Sequence, residues 1–286
     1  VRRIKTHLHS KQLLKNILTI LSGTLLMQLI IFLSSPILTR LLSPSDFGLY
    51  GLYISSLGIL SVFISGRYEL AIMIPKHNIT ANYITTLCII ITTGSSLIII
   101  MLCALIKLFI LPIFETIHIN PVFYLVPYHI WVFKINEILN YSLNRQQRFK
   151  IISTNKILQG AIITITTLLT ALFPIKTISL ILGALVGHIT SLCFLSYHSR
   201  HIITPRYFIN KKKLVYCLRR FKKFPIYQCP GSLINKLSSE SPVFLLTRFY
   251  GLEAAGFFSF ANRIVGTPLS LISQSTADAF RQQAAN

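Results

Sequence analysis

Apolar residues fill this chain in long blocks, separated by short segments where polar and basic residues gather. A helix that crosses about 30 Å of hydrocarbon needs about 20 mostly apolar residues. Blocks of that length fall at about 15–39, 47–74, 84–113, 121–143, 151–173, 177–198, 225–248 and 253–279. The pattern predicts an all-α polytopic membrane protein with eight transmembrane helices. Polar residues recur through the last two blocks and interrupt the first six much less.

Two of the connections carry the same motif. Thr39-Arg40 is followed, eight residues after the arginine, by Gly48-Leu49-Tyr50, and Thr247-Arg248 at the same spacing by Gly256-Phe257-Phe258. An acid, Asp46 or Glu253, stands between arginine and glycine, and Ser35-Pro36 or Ser241-Pro242 lies upstream. Each motif joins two apolar blocks, so the repeated unit reads as a membrane hairpin. Internal repeats are a signature of secondary transporters. The first copy starts at the first predicted helix and the second at the seventh, which sets a six-helix repeat in two parallel copies and about twelve helices in all. On this reading 1–198 is an N-terminal six-helix bundle and 199–224 a basic cytoplasmic loop. The remainder, 225–286, is the first two helices of a second, C-terminally truncated bundle.

Composition agrees with the pattern. Only 12% of the 286 residues are charged and 52% are apolar, with a mean hydropathy of +0.63. A soluble domain carries about 25% charged residues. The net charge of +21 would point to nucleic acid in a soluble chain. Its placement points elsewhere. With the N-terminus in the cytoplasm, 21 of the 28 basic residues fall on the cytoplasmic side, nine of them between Arg200 and Lys223. The positive-inside rule therefore orients the chain. The basic segments read as topology signals and as contacts to anionic lipids, with no role in nucleic-acid binding. The five cysteines form no metal-type pair and read as packing residues.

Charges at mid-membrane cost about 2.5–3.5 kcal/mol each on insertion scales, so they face a cavity or a partner. Lys134, Glu137, Lys236, Glu240 and Arg263 stand out. Gln228, Ser232, Lys236 and Glu240 recur every four residues, with Asn235 and Ser239 beside them, as a polar stripe on one helix. The stripe reads as a cavity wall; a helix seam sealed by a Lys236–Glu240 pair is the plainer alternative. Ser259, Arg263, Gly266, Ser270 and Gln274 make a similar stripe on the next helix, where Arg263 calls for an anion or an acid from another helix. Lys134 and Glu137, three residues apart, read as a self-neutralised pair. Arg67 snorkels to the interface or guards the cytoplasmic mouth of a cavity. His129 and His188 read as packing residues. The seven acids form no metal-binding loop cluster, and no P-loop occurs. The sequence thus carries no catalytic constellation, cofactor motif or metal site.

Several segments resemble one family. Leu38-Thr39-Arg40-Leu41-Leu42-Ser43-Pro44-Ser45-Asp46-Phe47-Gly48-Leu49-Tyr50 resembles the first external loop of bacterial polysaccharide-biosynthesis flippases. Gly66-Arg67-Tyr68-Glu69-Leu70-Ala71-Ile72 with Pro75-Lys76 resembles their second-helix motif. Asn144-Arg145-Gln146-Gln147-Arg148-Phe149-Lys150 is similar to their basic loop after helix four, and the segments at Pro268–Ile272 and Phe280–Ala285 to their helix-eight pattern. These proteins flip O-antigen, capsule and exopolysaccharide units, within a superfamily that includes multidrug antiporters and the peptidoglycan-precursor flippase. The resemblance implies two six-helix bundles around a central cavity in the bacterial inner membrane, working by alternating access. It implies an undecaprenyl-pyrophosphate-linked oligosaccharide as substrate and a proton or sodium gradient as drive, with a glycan polymerase and a chain-length regulator as candidate partners. Arg263, Lys236 and Arg67 would neutralise the pyrophosphate, and Glu69, in the same motif as Arg67, is a further substrate-binding candidate in the cavity. Asn235, Gln228 and the serines would meet the sugars. Glu240 or Glu137 would couple the ion.

Two other functions compete. The first is a multidrug or other lipid-linked-precursor exporter of the same superfamily; a multidrug exporter expels cations and favours acids in its cavity, whereas the five mid-membrane charges here are three basic and two acidic. A membrane glycan polymerase resembles a protein with a large external loop, and the external connections here are short.

Overall fold

The computed structural model describes residues 2–105, 121–202 and 204–266. About 90% of it is helical and no strand occurs among the described residues, which makes the protein an all-α polytopic membrane protein. The principal helices are α1 (Arg2–Leu41), α2 (Pro44–Ile64), α3 (Asn78–Leu105), α4 (Val126–Arg145), α5 (Phe149–Ala171) and α6 (Ser179–Ser199). The short α7 (Pro205–Ile209) and α8 (Lys211–Arg220) follow, and then the long α9 (Cys229–Ala261). Among the described residues, five segments are long and apolar enough to cross a membrane by length and composition: Leu18–Leu41, Pro44–Ile64, Asn78–Leu105, Lys176–Ser199 and Phe224–Ile264. Helices α4 and α5, 20 and 23 residues long, occupy the fourth and fifth predicted blocks but carry more polar side chains. The predicted helix over 84–113 is described only as far as Leu105, and the one over 253–279 only as far as Gly266. Ser270, Gln274, Glu115 and Asp278 lie outside the described residues.

The first hairpin turn is built by a capping box. Ser43 is the N-cap of α2, and its side chain accepts from the Asp46 backbone N–H while the Asp46 carboxylate accepts from the Ser43 backbone N–H at 2.9 Å. Pro44 enters the first turn, where its missing N–H is no loss. The motif acid is thus a cap, and Arg40 stays exposed.

The helix expected over 47–74 is shorter. Helix α2 ends at Ile64, Gly66 and Arg67 both take positive φ (55° and 61°), and Tyr68–Met73 winds as a 3₁₀ turn. Glycine adopts that left-handed conformation freely, while an arginine there is held by its surroundings. The break redirects the chain so that Tyr68, Ala71 and Ile72 enter the core of the bundle's basic end.

The long C-terminal helix is a hairpin. Gly251 takes φ 85° and ψ 176°, a conformation no α-helix contains, between the two predicted blocks 225–248 and 253–279. Both arms lie along α2: Lys236 and Glu240 face Gly58 on the first arm, Leu252 and Gly256 meet Gly48, and Ser259 meets Gly51. The crossing is reciprocal. A β-carbon on Gly48 would overlap the Leu252 carbonyl, and one on Gly256 would overlap the Pro44 carbonyl. Gly48 and Gly256 are 208 positions apart in the sequence, as are Pro44 and Leu252, and Gly51 and Ser259. Gly48 meets Leu252, the counterpart of Pro44, Gly256 meets Pro44, and Gly51 meets its own counterpart Ser259, the reciprocal pattern of a two-fold contact. Small residues let the two backbones approach where lipid supplies no hydrophobic drive.

Within the basic segment 199–224, Pro205–Ile209 and Lys211–Arg220 are helical. In α8 the sequence KKKLVYCLRR places Leu214 and Cys217 one turn apart, with Phe221 one turn beyond. All three are buried against Tyr68, Tyr83 and Ile84, whereas Lys211, Lys212, Arg219 and Arg220 stay exposed. Tyr68 Oη donates to the Leu218 carbonyl at 3.2 Å, tying this helix to the broken end of α2.

Candidate functional site: a charged junction, a polar helix seam and an amide-lined cavity

The backbone break after α2 carries Glu69 into the bundle. Its Oε1 accepts from Lys134 Nζ at 2.9 Å, and the same ammonium donates to Glu137 Oε2 at 2.7 Å. Arg67 Nη1 lies 3.5 Å from Glu69. Glu69 and Lys134 have no solvent exposure, while Arg67 and Glu137 keep 21% and 27%. The Lys134–Glu137 pair therefore gains a third member across the bundle. Two cations and two anions balance, which is what allows such a cluster to be enclosed.

The two basic motifs lock together beside it. Arg145, at the end of α4, donates through Nη1 to the Ile72 and Met73 carbonyls at 3.1 Å each and through Nη2 to the Pro75 carbonyl. These are the unpaired carbonyls at the end of the 3₁₀ turn, and a planar guanidinium can hold three at once. Arg145→Ala is expected to lower stability by about 2–3 kcal/mol, read by thermal unfolding in detergent. Arg145→Lys should recover only part, because a point charge does not span the three acceptors.

The stripe of Gln228, Ser232, Lys236 and Glu240 divides on folding. Lys236 Nζ donates to Glu240 Oε1 at 3.2 Å, and Ser55 Oγ of α2 donates to Glu240 Oε2 at 2.8 Å. These charged groups lie where α9 meets α2, with the Lys236 side chain 42% exposed. Gln228 and Asn235 remain exposed on the open side of α9. Arg263 lies beyond the Gly251 turn, in a groove of about 300 Å³ against α1 whose wall includes Gln28, Phe32 and Ser35. Arg248 and Glu253 are exposed around the turn.

His129 and His188 are joined rather than separate. Tyr53 Oη lies 3.1 Å from His129 Nδ1, and His129 Nε2 lies 3.0 Å from His188 Nδ1. This chain runs from α2 through α4 to α6. His188 also borders a polar cavity of about 460 Å³ between α1, α4, α5 and α6. Asn136, Glu137, Asn140 and Asn144 of α4 line it, with Gln159 and Lys156 of α5. Sequence reasoning passed over this amide stripe, although its spacing of four residues is the signal that marked Gln228 to Glu240. Among the described residues no cluster of three or more metal-type ligands occurs.

A profile for polysaccharide biosynthesis proteins matches residues 13–280. The chain belongs to that family. No curated protein and no solved structure shows significant similarity to it. Members of the family are generally transporters or flippases rather than enzymes, which gives this membrane protein a polysaccharide-related transport role.

Proposed function

We propose that this protein flips an undecaprenyl-pyrophosphate-linked oligosaccharide across the bacterial inner membrane, for O-antigen, capsule or exopolysaccharide synthesis. The family match over nearly the whole chain carries this reading. The positive-inside rule puts the N-terminus and the basic end of the bundle in the cytoplasm, where the amphipathic α8 would rest on anionic lipids. The substrate enters there, and alternating access delivers it to the opposite leaflet.

Arg263 is the proposed pyrophosphate ligand. A guanidinium recognises phosphate oxygens as a planar fork, and this one stands in a groove between the two repeat copies. Lys236 would contribute charge once the Glu240 contact opens, and Arg67 would do so at the cytoplasmic mouth. Glu69 acts by holding Lys134 and Arg67 in place. Gln228 and Asn235, exposed on α9, meet the sugars. A proton or sodium gradient drives the cycle through Glu240 or Glu137, each already seated on a lysine that its neutralisation would release. A glycan polymerase and a chain-length regulator are the proposed partners.

The multidrug reading is less well supported. Glu69, Glu137 and Glu240 each hold a basic side chain, so none is left bare for a cationic drug. The test is complementation of a bacterium deleted for its own unit flippase, using the full-length protein and the matching glycan genes. Surface glycan is expected with the native protein, and a loss of about tenfold or more with Arg263→Ala. A well-inserted native protein that exports no glycan would count against the proposal.

A further inference from the structure

The amide-lined cavity inside the bundle is separate from the α9 stripe and from the Arg263 groove. Its chemistry is specific. Asn136, Asn140 and Asn144 stand at successive turns of α4, so they span about 12 Å along the helix. Asn144 lies at the basic end, and the stripe leads inward from there. Gln159 of α5 faces them across the cavity, and Phe133 and Tyr141 border the same wall. Asn140 donates through Nδ2 to the Asn136 carbonyl at 2.9 Å, which leaves its Oδ1 buried with no hydrogen-bond partner. A buried acceptor without a donor is costly unless a ligand supplies one.

The charges here are settled before any ligand arrives. Glu137 holds Lys134, and Lys156 Nζ donates to Thr24 Oγ1 at 2.9 Å. Asn136 is already engaged, its Nδ2 donating to the Val132 and His188 carbonyls and its Oδ1 accepting from Ser191 Oγ. What the wall offers a ligand is the Asn140 Oδ1 and the neutral amides of Asn144 and Gln159, with aromatic rings beside them. Hydroxyl groups match the amides, and the C–H face of a pyranose matches a ring. The volume lies within the range of about 300–1,000 Å³ typical of small-molecule sites. A cation would want bare carboxylates, and a phosphate would want unpaired bases.

We infer that this cavity is a saccharide subsite that takes a neutral sugar residue from the head of the transported unit. The inference rests on the flippase reading and places part of the glycan inside the N-terminal bundle, one helix layer away from the pyrophosphate. Entry from the basic end puts the sugar in contact with Asn144 first and Asn140 next. His188 joins the cavity to His129 and Tyr53, so an occupied cavity touches a chain of hydrogen bonds reaching α2.

Photo-crosslinking tests it. Benzoylphenylalanine is placed at Gln159 in one full-length protein and at Asn235 in another, in cells that make a radiolabelled lipid-linked glycan. Glycan adducts at both positions are expected. Adducts at Asn235 alone would overturn the subsite and leave the flippase reading intact. Adducts at neither, with the protein correctly inserted, would sink both. A second variant avoids the bulky probe: Gln159→Leu keeps the volume and removes the amide. Export is expected to fall about tenfold with unchanged protein level, the effect of one or two lost sugar hydrogen bonds. Unchanged export would overturn the subsite. Protection of a Gln159→Cys variant from thiol labelling by sodium ion alone, and not by glycan, would assign the cavity to a cation instead.

Discussion

Lys134→Ala is expected to destabilise the protein by about 3–5 kcal/mol, against a total stability of about 5–15 kcal/mol for a typical domain. The ammonium serves two carboxylates at 2.9 and 2.7 Å. Without it Glu69, with no solvent exposure, keeps Arg67 at 3.5 Å as its remaining ion-pair partner. Glu137 is less affected, because its 27% exposure lets water reach it. Breaking one side of an enclosed ion pair costs far more than replacing both sides with neutral groups. Lys134→Met combined with Glu69→Gln should therefore recover most of the loss. The readouts are thermal unfolding in detergent and the amount of protein held in the membrane. A Lys134→Ala protein that melts with the native one would show that the cluster adds nothing to stability.

How much of this was legible beforehand depends on the range of each interaction. Lys134 and Glu137 are three residues apart, and their pairing follows from helical spacing alone. Glu69 is 65 positions from Lys134, and only the kink at Gly66 and Arg67 brings it in. That kink is hidden in the sequence because Tyr68–Met73 is apolar enough to read as more helix. The turn at Gly251 is visible as a gap between two apolar blocks, and the first hairpin as the repeated motif from Thr39-Arg40 to Gly48 with Asp46 inside it. The basic segment over 199–224 was read by charge, which masked the period that puts Leu214, Cys217 and Phe221 on one face. The asparagines of α4 were overlooked for a related reason. Charges stand out within an apolar block, and neutral amides at the same spacing carry no such flag. His129 and His188 could not be joined by sequence, since nothing local relates residues 59 positions apart.

Gly256→Val is expected to abolish export, together with the packing of the second repeat copy on α2. A valine β-carbon at this position meets the Pro44 carbonyl, and the Gly48 backbone nitrogen lies 3.1 Å away. Both are backbone atoms, so no rotamer change relieves the overlap and the helices must separate. Overpacking in a fitted core costs about 1–3 kcal/mol and occasionally more. Here separation also opens the seam at Ser55, Lys236 and Glu240. Gly48→Val should behave alike, because the Leu252 carbonyl occupies the equivalent place. Gly51 provides the internal control. Its added β-carbon would meet the side chain of Ser259, so Gly51→Ala should impair export and Ser259→Gly should restore it. The measurements are surface glycan in the complementation strain and the melting temperature of each purified variant. Rescue at position 51 without any rescue of Gly256→Val by Ser259→Gly is the pattern a backbone-to-backbone crossing requires. If Gly256→Val exports normally, the two copies do not meet at these glycines during transport, and the pivot between them must be sought elsewhere along α2.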